Sequence, residues 1–209
     1  KGAVSQVISG IYGLVTEEQR KKLLMTLRNA ERLNLMIDDL LDFAQLEAKQ
    51  VRLDLTEVNL VDVVREVHSS FYSLAVEKGL DLNVEYPVAY MLVTADRNRL
   101  IQVLINLLGN ALKFTEKGEI KIVLKDGPDG VECRVTDTGC GIPEEELSRI
   151  FQRFHQVKHA GGDNPKGTGL GLAICKEIIE LHKGTLWAES SFKKGTAVVF
   201  KIPKTAGPG

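Results

Sequence analysis

The sequence has only three cysteines, Cys133, Cys140 and Cys175. An odd number without metal-ligand spacing fits reduced thiols packed as small hydrophobes better than bridges or zinc, as expected in a reducing compartment. Charge of one sign is lacking too, since 27 Lys and Arg against 28 Asp and Glu leave a net charge of -1. Without a basic field or a polybasic run, neither nucleic acid nor anionic lipid is an expected partner. Long apolar runs are missing as well. The most apolar stretch, residues 100–112, is broken by Gln102, Asn106, Gly109 and Asn110 and falls short of the ~20 residues that span a bilayer. No signal-peptide pattern opens the chain. Its start at Lys1-Gly2-Ala3, inside an apolar pattern, reads as a cut into a longer protein. A cytoplasmic location is expected, with any upstream sensor or membrane region outside these residues.

What is present is an ordinary globular composition, 44% hydrophobic and 26% charged over 209 residues, enough for one domain and a smaller appendage. Val4, Val7, Ile8 and Ile11 have helical spacing, and Thr16-Glu17-Glu18-Gln19 is a capping-box pattern that starts a second helix. Beyond it Leu23, Leu27, Ala30, Leu33, Ile37, Leu40, Leu41, Ala44 and Leu46 recur in steps of three and four, the stripe of a bundle or coiled coil. Residues 1–50 are therefore expected to form an antiparallel helical hairpin that pairs with a second copy as a homodimer. A long helix packed on its own domain is the alternative. Residues 51–58 read as an extended linker. From residue 59 to 204 the signals alternate: a helix capped by Asn59 and stopped by Gly79, a strand at 80–86, and a helix capped by Asp96 and running to Phe114. Strands at 119–125 and 131–137 follow, then a helix at 143–151, a polar stretch at 155–167, a helix at 170–182 and strands at 185–190 and 196–202. The class is α+β, with helices on one face of a mixed sheet, and residues 205–209 are a tail.

Several short segments carry chemistry. On a helix, Asn106 and Asn110 share a face with Lys113. Amide oxygens suit Mg²⁺ and an ammonium suits phosphate, although a buried Asn pair can equally bond neighbouring backbone. Asp137-Thr138-Gly139-Cys140-Gly141-Ile142 lies between a strand and a helix. Its carboxylate can accept from an exocyclic amine, and its glycines let backbone approach a flat base. Phe151-Gln152-Arg153-Phe154 precedes Gly167-Thr168-Gly169-Leu170-Gly171-Leu172, which opens a helix and so leaves amide donors for an anion. Neither a Walker loop nor a Rossmann fingerprint fits this glycine run. The polar loop upstream of it has the character of a lid over a nucleotide.

In this order the segments resemble the N, G1, F and G2 boxes of the histidine-kinase catalytic domain, in the superfamily that includes gyrase and MutL-type ATPases. The preceding hairpin and the ending Gly184-Thr185-Leu186-Trp187-Ala188-Glu189-Ser190 are similar to sensor kinases in particular. The resemblance implies a two-layer α/β sandwich of the Bergerat ATP-binding type, with ATP and Mg²⁺ as ligands. It implies that Asn110, helped by Asn106, holds Mg²⁺ and that Lys113 touches the phosphates. Asp137 would read the adenine amine, Gly139, Gly141 and Ile142 would flank the base, and Phe151 and Phe154 would pin the lid. Gly167, Thr168, Gly169, Leu170, Gly171 and Leu172 would shape the lid hinge and phosphate end. Many relatives place an arginine two residues after the second phenylalanine, where this chain has Gln156. The γ-phosphate cation is left to Arg153, Lys158 or Lys166, with Arg153 and Lys166 ranked first.

The family's phosphate acceptor is a histidine on the first hairpin helix, and none of His68, His155, His159 and His182 has that context. The expected acceptor lies about three residues before Lys1 in a variant box, with Gly2 at the position that relatives use to place water for dephosphorylation. The resemblance implies phosphoryl transfer from ATP to that histidine and relay to a response-regulator receiver domain, with this fragment binding ATP but not phosphorylating itself. A serine kinase or ATPase of the same superfamily and a catalytically silent nucleotide-sensing module are the alternatives.

Overall fold

The computed structural model describes residues 2–27, 30, 33, 37, 41, 52–157 and 168–204. Helix α1, Gly2–Ile8, ends in a turn where Gly10 and Gly13 take φ of +81° and +116°, a region that costs an L side chain dearly. The capping box is formed in both directions: the Gln19 N–H donates to Thr16 Oγ1 at 3.2 Å and the Thr16 N–H donates to Gln19 Oε1 at 2.9 Å. Helix α2 follows over residues 17–27, and the described positions 30, 33, 37 and 41 are also helical. Among the described positions of the stripe, Leu33, Ile37 and Leu41 are each more than half exposed, while Leu23 and Leu27 are half-buried.

Strand β1, Thr56–Asn59, pairs antiparallel with β3, Leu92–Ala95. Neither four-residue strand is long enough to show alternation in sequence. Asn59 then caps helix α3, Leu60–Glu77, by accepting from the Val61 N–H at 3.3 Å. The same oxygen accepts from the Met91 N–H at 2.9 Å, which ties the start of α3 to the approach to β3. Gly79, at φ +71°, turns the chain into β2, Asp81–Glu85.

Helix α4, Arg97–Phe114, is capped by Asp96 and buries Leu100, Val103, Leu104, Leu107, Leu108 and Ala111. Its far end is held by Lys78, whose ammonium donates to the carbonyls of Thr115, at 2.7 Å, and Leu112. A cation there also complements the negative end of the helix dipole.

Strands β4 (Glu119–Gly127), β5 (Gly130–Asp137), β6 (Thr185–Ser191) and β7 (Gly195–Ile202) complete a sheet of order β2-β4-β5-β7-β6, parallel only between β2 and β4. Its inner face presents Ile120, Ile122, Leu124, Cys133, Phe200 and Ile202. They meet α3, α4 and helix α6, Gly171–Leu181, which buries Ala173, Ile174, Cys175, Ile178 and Ile179. Helix α5 is a single turn, Glu144–Leu147, shorter than the predicted 143–151. Bonds of i→i−3 type, Arg149 N–H to Glu146 O and Gln152 N–H to Arg149 O, tighten the chain beyond it into turns. All three cysteines are thiols, and among the described residues no helix is long and apolar enough to cross a membrane.

Replacing Lys78 by Met keeps the aliphatic stem but removes the donor to the end of α4. The expected loss is about 1 kcal/mol, read as a lower urea midpoint at unchanged slope.

Candidate functional site

Three close backbone approaches bring the motif segments together. A Cβ at Gly139 would lie 2.5 Å from the Phe114 carbonyl oxygen, so the turn after β5 sits directly on the end of α4. The Cys140 N–H donates to the same oxygen at 3.3 Å. A Cβ at Gly171 would lie 3.5 Å from Asn106 Oδ1, which places the start of α6 beside the amide face of α4. Finally, Gly169, at φ +74°, stands where a Cβ would lie 2.8 Å from the carbonyl carbon of Phe154. The Phe154 N–H donates to Gly169 O at 2.9 Å and closes that junction.

Around this frame Asn106 and Asn110 are half-buried on α4, while Lys113 is exposed, with its ammonium 4.5 Å from the centroid of the Phe114 ring. No side chain caps the first turn of α6, leaving its leading N–H groups for an anion. Leu170 is buried beneath that turn, Leu172 packs against the core, and Thr168 Oγ1 accepts from the Leu170 N–H at 3.1 Å. Phe151 is half-buried and Phe154 exposed at the edge. Lys158, Lys166 and Gly167, expected here from sequence, lie outside the described residues.

Asp137 ends β5 as a half-buried carboxylate. Burial pushes its pKa up, opposed by the backbone N–H groups of Gly139 and Thr196. The Gly139 bond is 2.8 Å and uses Oδ1. Gly141, at φ +67°, packs against the β6–β7 turn, where a Cβ would lie 2.2 Å from Ser191 O. Half-buried Ile142 donates its N–H to Ser190 Oγ at 2.8 Å, and that hydroxyl lies 3.1 Å from Thr196 Oγ1. Thr196 thus holds the carboxylate through its N–H, Gly195 lies against the Asp137 main-chain carbonyl and Ser190 ties Ile142 to Thr196, and the reading of the sequence gave none of the three a place in the site. Their one signal is Gly195, a lone glycine at the mouth of a β-rich run. It takes φ +103° and stands where a Cβ would lie 2.0 Å from Asp137 O.

Arg153 is drawn to a different side. Its guanidinium pairs with Glu177 Oε1 at 2.9 Å, off the buried face of α6. The pair borders a cleft of about 390 Å³ that Phe151 and Lys176 also line.

Residues 95–206 match the family model for histidine kinase-, DNA gyrase B- and HSP90-like ATPases, and the chain belongs to that family as a homologue of sensor histidine kinases. Sensor histidine kinase RcsC of Escherichia coli strain K12 is 35% identical over 205 residues, which cover 94% of this chain and 21% of RcsC. The chain thus spans about a fifth of that relative. The crystal structure of full-length ShkA in complex with AMPPNP covers 97% of this chain and 42% of its own at a TM-score of 0.79 and 29% identity. Histidine kinase ThkA, in complex with response regulator protein TrrA, covers 98% of this chain and 58% of its own at 0.73 and 32% identity.

Two glycines separate close approach from simple helix content. Gly139→Ala forces the Phe114 carbonyl and the Asp137 carboxylate apart, so a stability loss of about 2 kcal/mol and weaker adenine-nucleotide binding are expected. Gly109→Ala, with nothing within 4 Å of the added Cβ, is expected to stabilise α4 by up to about 1 kcal/mol. Thermal melts with and without ADP check both.

Proposed function

We propose that the chain is the ATP-binding and dimerisation part of a protein-histidine kinase in a two-component system. It binds Mg-ATP and directs the γ-phosphoryl group to a histidine, from which an aspartate of a response-regulator receiver domain receives it. The observation that supports this reading is that the motif segments join one another: the start of α6 lies against Asn106 on α4, the turn after β5 against the Phe114 carbonyl at the end of α4, and the Phe154 segment against Gly169 ahead of α6.

Two neutral amide oxygens are too few for a protein cage around a cation. They suit Mg²⁺, which keeps most of its ligands as water and phosphate oxygens. When bound, the ion would neutralise charge on the phosphates. Lys113 adds a point charge beside them, and the leading N–H groups of α6 offer further donors. Asp137 accepts from the adenine amine, held in place by its two backbone donors. The γ-phosphate cation is Arg153 or Lys166, and Arg153 must release Glu177 to serve.

We assign the acceptor outside this chain. His182 is buried, His155 Nε2 is 2.5 Å from Glu146 Oε2, and His68 Nε2 lies 3.2 Å from Leu82 O; His159 lies outside the described residues. The exposed Leu33, Ile37 and Leu41 support a homodimer formed through the hairpin, and the ThkA–TrrA likeness supports a receiver domain as partner.

Calorimetry with Mg²⁺ tests the base-reading role. Inosine triphosphate, which lacks the exocyclic amine, is expected to bind at least about tenfold more weakly than ATP, and Asp137→Asn is expected to erase most of that discrimination. Equal affinity of the unaltered chain for both would remove Asp137 from the site. Incubation with γ-labelled ATP is expected to leave this chain unlabelled. Acid-labile label on it would put the acceptor among its own four histidines, and acid-stable phosphoserine on a partner would favour a serine kinase.

A further inference from the structure

At the end of α4 and α6 remote from the nucleotide lies a buried pair that the proposed chemistry does not use. His182 follows α6 and is 5% exposed; Asp96 precedes α4 and is 8% exposed. His182 Nδ1 donates to Ile178 O at 2.7 Å, so Nε2 is the unprotonated nitrogen, and it accepts from the Asp96 N–H at 2.9 Å. The Asp96 carboxylate then splits its oxygens. Oδ1 caps α4 through the Arg99 N–H at 3.2 Å, and Oδ2 accepts from the Asp54 N–H at 3.1 Å. Asp54 lies in the segment that enters β1 from the helical region. One carboxylate and one imidazole therefore join the incoming chain, the start of α4 and the end of α6.

The two helices run antiparallel from this point. Asn106 lies about 15 Å along α4 from Asp96, and Gly171 about 16 Å along α6 from His182, at 1.5 Å per residue. Asn106 and Gly171 meet again at that distance. The pair of helices is thus fixed at two places, one carrying nucleotide ligands and the other carrying the link to the incoming chain.

We infer that Asp96 and His182 are positioning residues: they form the joint through which the segment entering β1 sets the alignment of α4 with α6, and so the spacing of Asn106, Asn110 and the phosphate end of α6. The inference rests on the nucleotide site proposed above. Protonation of Nε2 would set two donors face to face, the new N–H and that of Asp96, and open the joint. Asp96 is the ionisable side chain that faces the imidazole; the carboxylate of Asp54 is exposed, and Asp54 enters through its main chain. Burial holds His182 below the usual histidine range, against the opposing effects of the Ile178 carbonyl and Asp96. The joint is therefore intact above that range and opens as pH falls through the lowered value.

The test compares variants of the whole chain. Asp54→Pro removes the donated N–H, whereas Asp54→Ala removes only the exposed carboxylate and keeps it. Affinity for Mg-ADP is expected to fall about fivefold in Asp54→Pro and to stay unchanged in Asp54→Ala. His182→Gln keeps an acceptor for the Asp96 N–H but cannot be protonated near neutral pH. Its Mg-ADP affinity, divided by that of the unaltered chain at each pH, is expected to rise, by about fivefold in all, as pH falls from 8 through the lowered value of His182. Protonation of Asp137 and of ADP itself cancels in that ratio. A flat ratio, or a folded Asp54→Pro variant with unaltered affinity, overturns the joint. A chain that binds no Mg-ADP overturns the nucleotide reading instead. In that case amide exchange at Leu172 and Ala173 still decides: faster exchange in Asp54→Pro than in Asp54→Ala upholds the joint, and equal exchange overturns it. Asp96→Asn, which keeps the cap and loses the Oδ2 acceptor, replaces Asp54→Pro in both measurements if the proline chain does not fold.

Discussion

Burial of one face of α4 against the sheet determines where every other part of the site stands. Leu100, Leu104, Leu107, Leu108 and Ala111 occupy that face, each at most 4% exposed. A buried aliphatic side chain contributes about 1.5–3 kcal/mol, so rotating α4 to bury its amides instead would forfeit several such contributions and desolvate the amides as well. Asn106 and Asn110 are consequently held on an edge that is half-buried yet open to a ligand. The remaining segments assemble by contact with this helix. Gly139 meets its last carbonyl, Gly171 its amide face, Lys78 its final turn and His182 the residue that caps it.

Those contacts are made largely through main chain, which explains why glycine recurs at the junctions. At Gly139, Gly141, Gly169 and Gly195 an added Cβ would approach neighbouring backbone to between 2.0 and 2.8 Å, well inside van der Waals contact. Glycine here is a matter of distance first and conformation second, since Gly139 needs no positive φ. The gain is rigidity where a ligand must be met. The Asp137 carboxylate already holds two backbone donors, so in its proposed role little reorganisation would remain when a base arrives. Opposed to this is Phe154, a non-glycine residue at φ +60° and 63% exposed. Its strain is borne at the junction with Gly169, where the segment leading to α6 begins, and strained backbone of this kind gathers at functional positions.

The features legible in the sequence were those written in local periodicity or in caps. The α4 face, the Asn59 and Asp96 caps and the Thr16–Gln19 box need only a few neighbouring residues to be recognised, and each is present as read. Strands β1 and β3 were not visible as a pair, because four residues apiece cannot display alternation and their pairing spans the whole of α3 and β2. Ser190 and Thr196 were missed for a related reason. Each is an ordinary hydroxyl in its own strand, and its place beside Asp137 exists only through the register that sets Asp137 opposite Thr196. His182 was weighed only as an acceptor and set aside, because nothing in its own stretch of sequence announces a partner 86 positions away. Arg153 shows the reverse: its residue type and motif pointed to a phosphate, while its geometry depends on Glu177, which the motif does not contain.

The same division between local and distant signals bears on how the site handles charge. Apart from Lys113 and the Asp137 carboxylate, the described groups that face the ligand position are amides, backbone N–H groups and a helix start. Such dipoles cost little to desolvate compared with ions, which lets them sit half-buried. In the proposed function such a site would draw its strong fields from the ligand, whose phosphates and metal would arrive already compensated. Placement therefore matters more here than the protein's own net charge, because a dipole's effect falls steeply with distance and angle. That places the demand on the alignment of α4 with α6, the quantity controlled at one end by Gly171 against Asn106 and at the other by His182 against Asp96.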